Sequence, residues 1–221
     1  ENSFSTNVKK FNSTIESSLF NDNISIDVYN TLINTIHAKM NLIYDYMKIR
    51  KKMLNLDELH MYDIYVDLVE GNNDKISFER GKEILFDALK PLGEEYLNDL
   101  NKAFDEKWID IYPSEGKRSG AYSWGCYDSY PYLLLNYNDT VDAVSTMGHE
   151  LGHSMHSYYS HKNQNYIDSQ YPIFLAEIAS TVNEVLINDY MYKNAKTKEE
   201  KLFYLVDFLD TVRSTIYRQT M

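Results

Sequence analysis

A five-residue pattern, His-Glu-x-x-His, constrains the fold of this chain more than any other feature of the sequence. It occupies residues 149–153, within the run MGHELGHSMH. Two histidines four residues apart place their rings on one face only if the segment is helical, where they lie about 6 Å apart along the axis. His149 and His153 can then bind one ion about 2.0 to 2.1 Å from each nitrogen. The pattern therefore predicts a helix that carries a candidate zinc site.

Two neighbours of this pair receive different interpretations. Glu150 lies about 100° round the helix from His149, beside the position where a hydrolytic zinc takes water, which is the general-base position of the motif. Such a pattern is expected by chance on the order of 0.01 times in this composition, so coincidence is disfavoured. His156 shares the ligand face but lies about 10.5 Å along the axis from His149, too far for both to bind one ion. We interpret His156 as a structural residue or a support of the site, with substrate contact as the weaker alternative.

A hydrolytic zinc site needs a third protein ligand, and the next predicted helix offers two glutamates. Glu177 and Glu184 lie seven residues apart in FLAEIASTVNE and therefore share one face. Either carboxylate could complete the site. Two antiparallel helices would return the first turns of the second helix over the end of the first, which favours Glu177. Glu184 would then orient a ligand histidine through its other ring nitrogen.

Composition excludes several classes of function. The net charge of −11 argues against a nucleic-acid partner, which requires clustered Lys and Arg. No apolar run approaches the roughly 18 residues of a membrane span, and no signal peptide is visible. The single cysteine, Cys126, fits a reducing compartment and is interpreted as an incidental thiol, so we expect a cytoplasmic protein. Because the chain begins and stops in mid-pattern, we expect it to be one piece of a longer protein.

The pattern along the chain predicts a mainly α fold with one small sheet directly before the histidine-rich helix. Ser25, Ser77 and Thr140 are predicted N-caps. The expected helices are one long helix from Ser25 with a seam of Tyr29, Ile33, Ile36, Met40, Ile43 and Met47, then 77–89, 94–107, 141–161, 173–193 and 198–217. A turn is expected at 71–74, and the sheet is expected from AYSWGCY and YLLLNY. We predict a helical region at 1–107 and a zinc-binding catalytic region at 108–221.

The motif, the strand before it and the Glu-x-x-Ser spacing after it together resemble a known family. GAYSWGCYDSYPYLLLNYNDTVDAVSTMGHELGHSMHSYYS and YPIFLAEIASTVNEVLINDY are similar to oligoendopeptidase F, within the thimet oligopeptidase family of zinc metallopeptidases. The resemblance covers at least 117–221. It implies a zincin-like helical peptidase with one zinc ion per chain that cleaves short peptides. By motif position, His149, His153 and Glu177 match the zinc ligands and Glu150 matches the catalytic base.

The resemblance leaves the activity of this chain open. The family uses a histidine and tyrosines from a C-terminal segment to hold substrate, and we expect these to lie beyond Met221. Residues Gly120, Ala121 and Tyr122 are candidates for pairing with an extended substrate backbone, with a plain edge or core strand as the alternative. The rival functions are a fragment that binds metal or peptide without activity and a helical interaction domain with incidental histidines.

Overall fold

A computed structural model describes residues 2–69 and 75–221. The chain divides into two compact units. The first unit is Glu1–Glu70 with Leu205–Met221, and the second unit is Gly71–Tyr204. All candidate site residues belong to the second unit. These compact units do not coincide with the predicted division at residue 107. The division into a helical region and a catalytic region stays a prediction.

The described residues contain ten α-helices and three short strands. The helices are α1 Asn2–Val8, α2 Thr14–Phe20, α3 Ile26–Ala38, α4 Met40–Met53, α5 Phe78–Ala88, α6 Glu94–Asp105, α7 Val141–Asn163, α8 Ile173–Asn194, α9 Lys198–Val212 and α10 Arg218–Thr220. A π-helical turn, Arg213–Tyr217, separates α9 from α10. The strands are β1 Ile109–Asp110, β2 Tyr122–Trp124 and β3 Tyr132–Leu134. The predicted fold class, mainly α with a small sheet before the histidine-rich helix, is confirmed.

The predicted caps are all present. The hydroxyl groups of Ser25, Ser77 and Thr140 accept hydrogen bonds from the backbone N–H groups of Asp27, Arg80 and Ala143. Each satisfies a backbone donor that the first helical turn leaves free, and so fixes where its helix begins. The turn predicted at 71–74 lies outside the described residues.

The expected long helix after Ser25 is instead two helices, α3 and α4, within the first unit. Lys39 separates them with a φ of −111° and a ψ of 11°, well away from helical values. Its carbonyl accepts a hydrogen bond from the Tyr217 hydroxyl at 3.1 Å. The apolar seam survives the break, because Ile36 is buried and most of the other seam residues are partly buried. Periodicity predicted the buried face correctly but not the bend.

The sheet has the order β1-β3-β2, so β2 is an edge strand. β3 pairs in parallel with β1 and antiparallel with β2, with Ser123 opposite Leu133. The N–H of Leu133 donates to the Trp108 carbonyl on the β1 side. Because backbone groups alternate sides along a strand, those of Ser123 point away from β3, toward the open edge of the sheet.

The core of the second unit joins the sheet to four helices. Trp108, Leu133 and Leu135 pack with residues of α5, α6, α7 and α8. Leu85, Leu100, Met147 and Leu151 are fully buried there. The candidate site therefore lies on rigid, packed elements. Among the described residues, no helix is long and apolar enough to cross a membrane.

Candidate metal centre

The two histidines of the motif converge on one point beside α7. The Nε2 atoms of His149 and His153 are 3.1 Å apart, and both side chains are about a fifth to a quarter exposed. The spacing of four residues along an α-helix produces this convergence, as the sequence predicted.

Glu177 brings a third donor to the same point from the first part of α8. Its Oε2 lies 3.4 Å from the Nε2 of His149 and 3.4 Å from the Nε2 of His153. Of the described residues, these three form the one group of His, Cys, Asp or Glu side chains close enough together to hold an ion. Glu184, the other candidate for the third ligand, is not part of it.

A carboxylate on α8 holds His149 from behind. The Nδ1 of His149 lies 2.9 Å from Oε1 of Glu184, so the Nε2 is directed at the site. This hydrogen bond to Glu184 is the largest influence on His149 and raises its pKa. Burial lowers the pKa of His153, while the nearby Glu177 carboxylate and the Ala176 backbone act to raise it. Such partners fix ring orientation and tautomer in metal sites.

Glu150 lies next to the cluster and is 8% exposed. Burial raises the pKa of its carboxyl group, and nearby Glu177 acts in the same direction. The backbone N–H of Ser123, on the open edge of β2, faces this carboxylate and acts to lower its pKa, an effect that burial outweighs. A carboxylate that is buried and raised in pKa is suited to accept and release a proton.

A pair of serines fastens β2 to α7 beside Glu150. The hydroxyl groups of Ser123 and Ser154 are 2.8 Å apart, and Ser154 is fully buried. The Ser154 hydroxyl is also 3.0 Å from the Glu150 carbonyl, to which it can donate. The strand is therefore anchored to the same turn of helix that carries Glu150.

Gly152 allows α7 and α8 to approach closely. A Cβ at Gly152 would lie 2.6 Å from the Ser180 Cα and 2.8 Å from the Ala179 carbonyl oxygen, both backbone atoms of α8. Nearby, the Asn183 side-chain amide donates to the Gly148 carbonyl at 2.9 Å. The close approach brings Glu177 within reach of the two histidines.

A cavity of about 430 Å³ opens beside the cluster. Its lining includes Gly120, Ala121, His149, Glu150 and Glu184. Two of the three residues proposed to pair with substrate, Gly120 and Ala121, thus border the cavity. The third, Tyr122, begins β2 with an exposed ring.

His156 lies apart from the three donors. Its ring stacks on Tyr171 with centroids 3.7 Å apart and planes 8° apart. Tyr171 lies before α8, so the stack fastens the loop between α7 and α8 against α7. Its geometry fits the structural interpretation of His156.

Cys126 is an exposed thiol within hydrogen-bonding distance of Ser129.

Sequence comparison places this arrangement among known proteins. The model of peptidase family M3 matches residues 1–221. The chain belongs to peptidase family M3. Oligopeptidase PepF of Bacillus subtilis is 42% identical over 221 residues, which is 100% of this chain and 33% of that protein. The oligoendopeptidase F homolog of Borreliella burgdorferi is 42% identical over 224 residues, 100% of this chain and 38% of that protein. The resemblance to oligoendopeptidase F is therefore confirmed.

Solved structures agree with the family M3 assignment. A crystal structure from Chlamydophila abortus matches with a TM-score of 0.91 and 45% identity, over 99% of this chain and 37% of that one. Oligoendopeptidase-F from Enterococcus faecium matches with a TM-score of 0.69 and 30% identity, over 99% of this chain and 31% of that one. This family M3 chain spans about a third of the length of the curated relatives it matches.

Sequence reasoning missed the residues that position the others. Ser123, Ser154 and Gly152 contact the site through pairings between separate elements, which no local pattern reports. Ser180 did leave a signal, since the Glu-x-x-Ser spacing was visible, but its role depends on the rotamer of Glu177. The roles of ligand and base remain predictions that the geometry supports.

Proposed function

We propose that this chain is the metal-binding catalytic region of a zinc-dependent endopeptidase that hydrolyses short peptides. One observation carries the proposal. Four ligands at tetrahedral angles, about 2.0 to 2.1 Å from zinc, lie about 3.3 to 3.4 Å from one another. The three donor atoms of His149, His153 and Glu177 are 3.1 to 3.4 Å apart. Two imidazoles and a carboxylate are a ligand set of catalytic zinc sites, which keep a fourth position open.

The residues around the donors support hydrolysis. A zinc ion at this point would lower the pKa of water and polarise the carbonyl of the substrate. Glu150 accepts the proton of the attacking water and passes it to the leaving amine. Burial raises the pKa of Glu150, which strengthens it as a base.

The open edge of β2 supports a peptide as the substrate. An extended backbone can add to an exposed strand through main-chain hydrogen bonds, which leaves side-chain preference broad. Since the Ser123 N–H faces Glu150, the pairing would use the Ser123 carbonyl and the backbone of Ala121. Gly120 and Tyr122 would flank that contact. The preference for short peptides rests on the name of the Bacillus subtilis relative, an oligopeptidase.

A cytoplasmic location stays a prediction.

The alternative is a region that binds metal or peptide without hydrolysis. It is favoured by the span of the chain, about a third of its curated relatives. The two functions differ in what Glu150 does, since binding does not need a base.

Two variants of the full-length protein test the proposal. Metal analysis should find about one zinc per chain, and His153→Ala should lose it. Glu150→Gln should retain zinc and reduce cleavage of a quenched fluorescent peptide by at least about 100-fold, because general-base catalysis contributes about 10² to 10⁴. Retained zinc in His153→Ala would exclude the metal site, and normal cleavage by Glu150→Gln would exclude the assigned base.

A further inference from the structure

Ser180 is a fully buried polar residue at the contact between α7 and α8. Its hydroxyl donates to Oε2 of Glu177 at 2.8 Å and lies 3.1 Å from the Glu177 backbone carbonyl. The shorter contact is the one to the carboxylate, and a charged acceptor makes the stronger bond. The acceptor atom is also the one that lies 3.4 Å from both histidines.

The three metal donors differ in how firmly they are held. His149 has Glu184 behind it at 2.9 Å, and the side chains of His149 and His153 are 26% and 19% exposed. The side chain of Glu177 is 62% exposed. A glutamate side chain loses considerable rotamer freedom when it is ordered. If Glu177 were not already held in place, this entropy cost would lower the affinity of the site for its metal ion.

Packing fixes Ser180 in the position from which it reaches Glu177. The residue belongs to α8 and lies against Gly152 of α7, where no side chain intervenes. Because the hydroxyl cannot turn to solvent, its acceptors are on Glu177. A serine in a helix also bonds to the carbonyl of the preceding turn without any further role. The contact to Oε2 distinguishes Ser180 from that ordinary case.

We propose that Ser180 is a positioning residue that holds Oε2 of Glu177 in its metal-binding orientation before the ion arrives. Ser180 does for the carboxylate what Glu184 does for His149. The inference rests on the proposed metal site and adds a residue whose loss weakens metal binding without removing a ligand.

The same helical turn offers a matched control. The Thr181 hydroxyl lies 2.5 Å from the Glu177 backbone carbonyl and 3.3 Å from the Ile178 carbonyl, but it makes no contact with the carboxylate. Thr181→Ala and Ser180→Ala each remove one hydroxyl that bonds to the preceding turn. Only Ser180→Ala removes a bond to a metal donor.

The test is the zinc affinity of the metal-free full-length protein, measured by competition with a chromophoric chelator. Ser180→Ala should weaken zinc binding by about 10-fold to 100-fold, the usual cost of losing a partner behind a ligand. Thr181→Ala should change it by less than about twofold. Equal affinities for the two variants would overturn the proposal.

A double-mutant cycle separates positioning from packing. In a Glu177→Ala background the Ser180→Ala substitution should have no further effect on zinc affinity, because the group it positions is gone. If the loss persists there, Ser180 acts through packing and the proposal is wrong. If the unmodified protein binds no zinc, both the proposed function and this inference fail. If the unmodified protein binds zinc and Ser180→Ala binds it with the same affinity, only this inference fails.

Discussion

Asp99 shows how one buried charge is stabilised in the second unit. It is 6% exposed, yet two lysines reach it, Lys102 at 2.5 Å and Lys162 at 3.3 Å. Burial acts to raise the pKa of Asp99, but hydrogen bonds from Lys102, Tyr159 and Lys162 outweigh it and lower the pKa. The carboxylate fastens α6 to α7 because both lysines and the tyrosine belong to these helices.

The lowered pKa of Asp99 predicts an acid-dependent loss of stability. Its contribution is present above the unfolded-state pKa of about 3.9 and disappears as the pH falls through that value toward the folded-state pKa. We expect the free energy of unfolding, measured with urea between pH 7 and pH 3, to be clearly lower for Asp99→Asn than for wild type at pH 7. The difference should shrink below about pH 4.

Asp128 provides the control, since it is exposed and of the same type. Asp128→Asn should match wild type throughout. A constant gap between Asp99→Asn and wild type down to pH 3 would show that the charge of Asp99 is not what stabilises the contact.

At the scale of elements, the hairpin of α7 and α8 is what assembles the candidate site. Both histidines come from α7, and Glu177 comes from α8. The distance between the two helices therefore decides whether three donors meet. Gly152 sets that distance, because any side chain there would touch the backbone of α8.

A methyl group at Gly152 should force the helices apart. We expect Gly152→Ala to lower the free energy of unfolding by about 1 to 3 kcal/mol, the usual cost of overpacking, and to weaken zinc binding. Gly148→Ala is the comparison, because its Cβ would meet the side chain of Ile187, which can rotate aside. Both substitutions replace glycine by alanine inside α7, so the gain in helix propensity is the same and cancels when the two variants are compared. Calorimetric unfolding and chelator competition on both variants measure the difference, and equal losses would contradict the role given to Gly152.

Local rules predicted what depends on neighbours in the chain. The caps at Ser25, Ser77 and Thr140 and the convergence of His149 with His153 follow from helix geometry alone. The contact between the hydroxyl groups of Ser123 and Ser154 was not predictable, because it depends on which edge of the sheet faces α7. The bend at Lys39 was missed for a related reason: its carbonyl binds Tyr217, which lies 178 residues away.

At the scale of the whole molecule, the chain is about a third of the curated proteins it matches. The carboxylate of Glu177 is largely open to solvent, and apolar side chains at the start of α8 are exposed, namely Ile173, Phe174 and Ile178. A peptidase site shields the reacting groups from bulk solvent and stabilises the oxyanion, and we assign no oxyanion donor among the described residues.

The isolated 221-residue chain should therefore bind zinc but cleave poorly. We expect its kcat/KM on a quenched peptide to be at least about 100-fold below that of the full-length protein, since loss of one oxyanion donor costs about 10² to 10³. Circular dichroism and zinc content establish that the fragment is folded and loaded. Cleavage at the full-length rate would show that the site is complete within these residues.

The metal donors are close together in the sequence, and this separation affects when the metal site forms during folding. His153 and Glu177 are 24 residues apart (177 − 153), and residues 164–172 connect their two helices. Closing so short a loop costs little entropy, and contacts local in sequence form early in folding. The donors and the Glu184 support all lie within residues 149–184, so the site can assemble as soon as this one hairpin of α7 and α8 has formed. A metal ion bound at that stage would stabilise the hairpin before more distant parts of the fold pack against it.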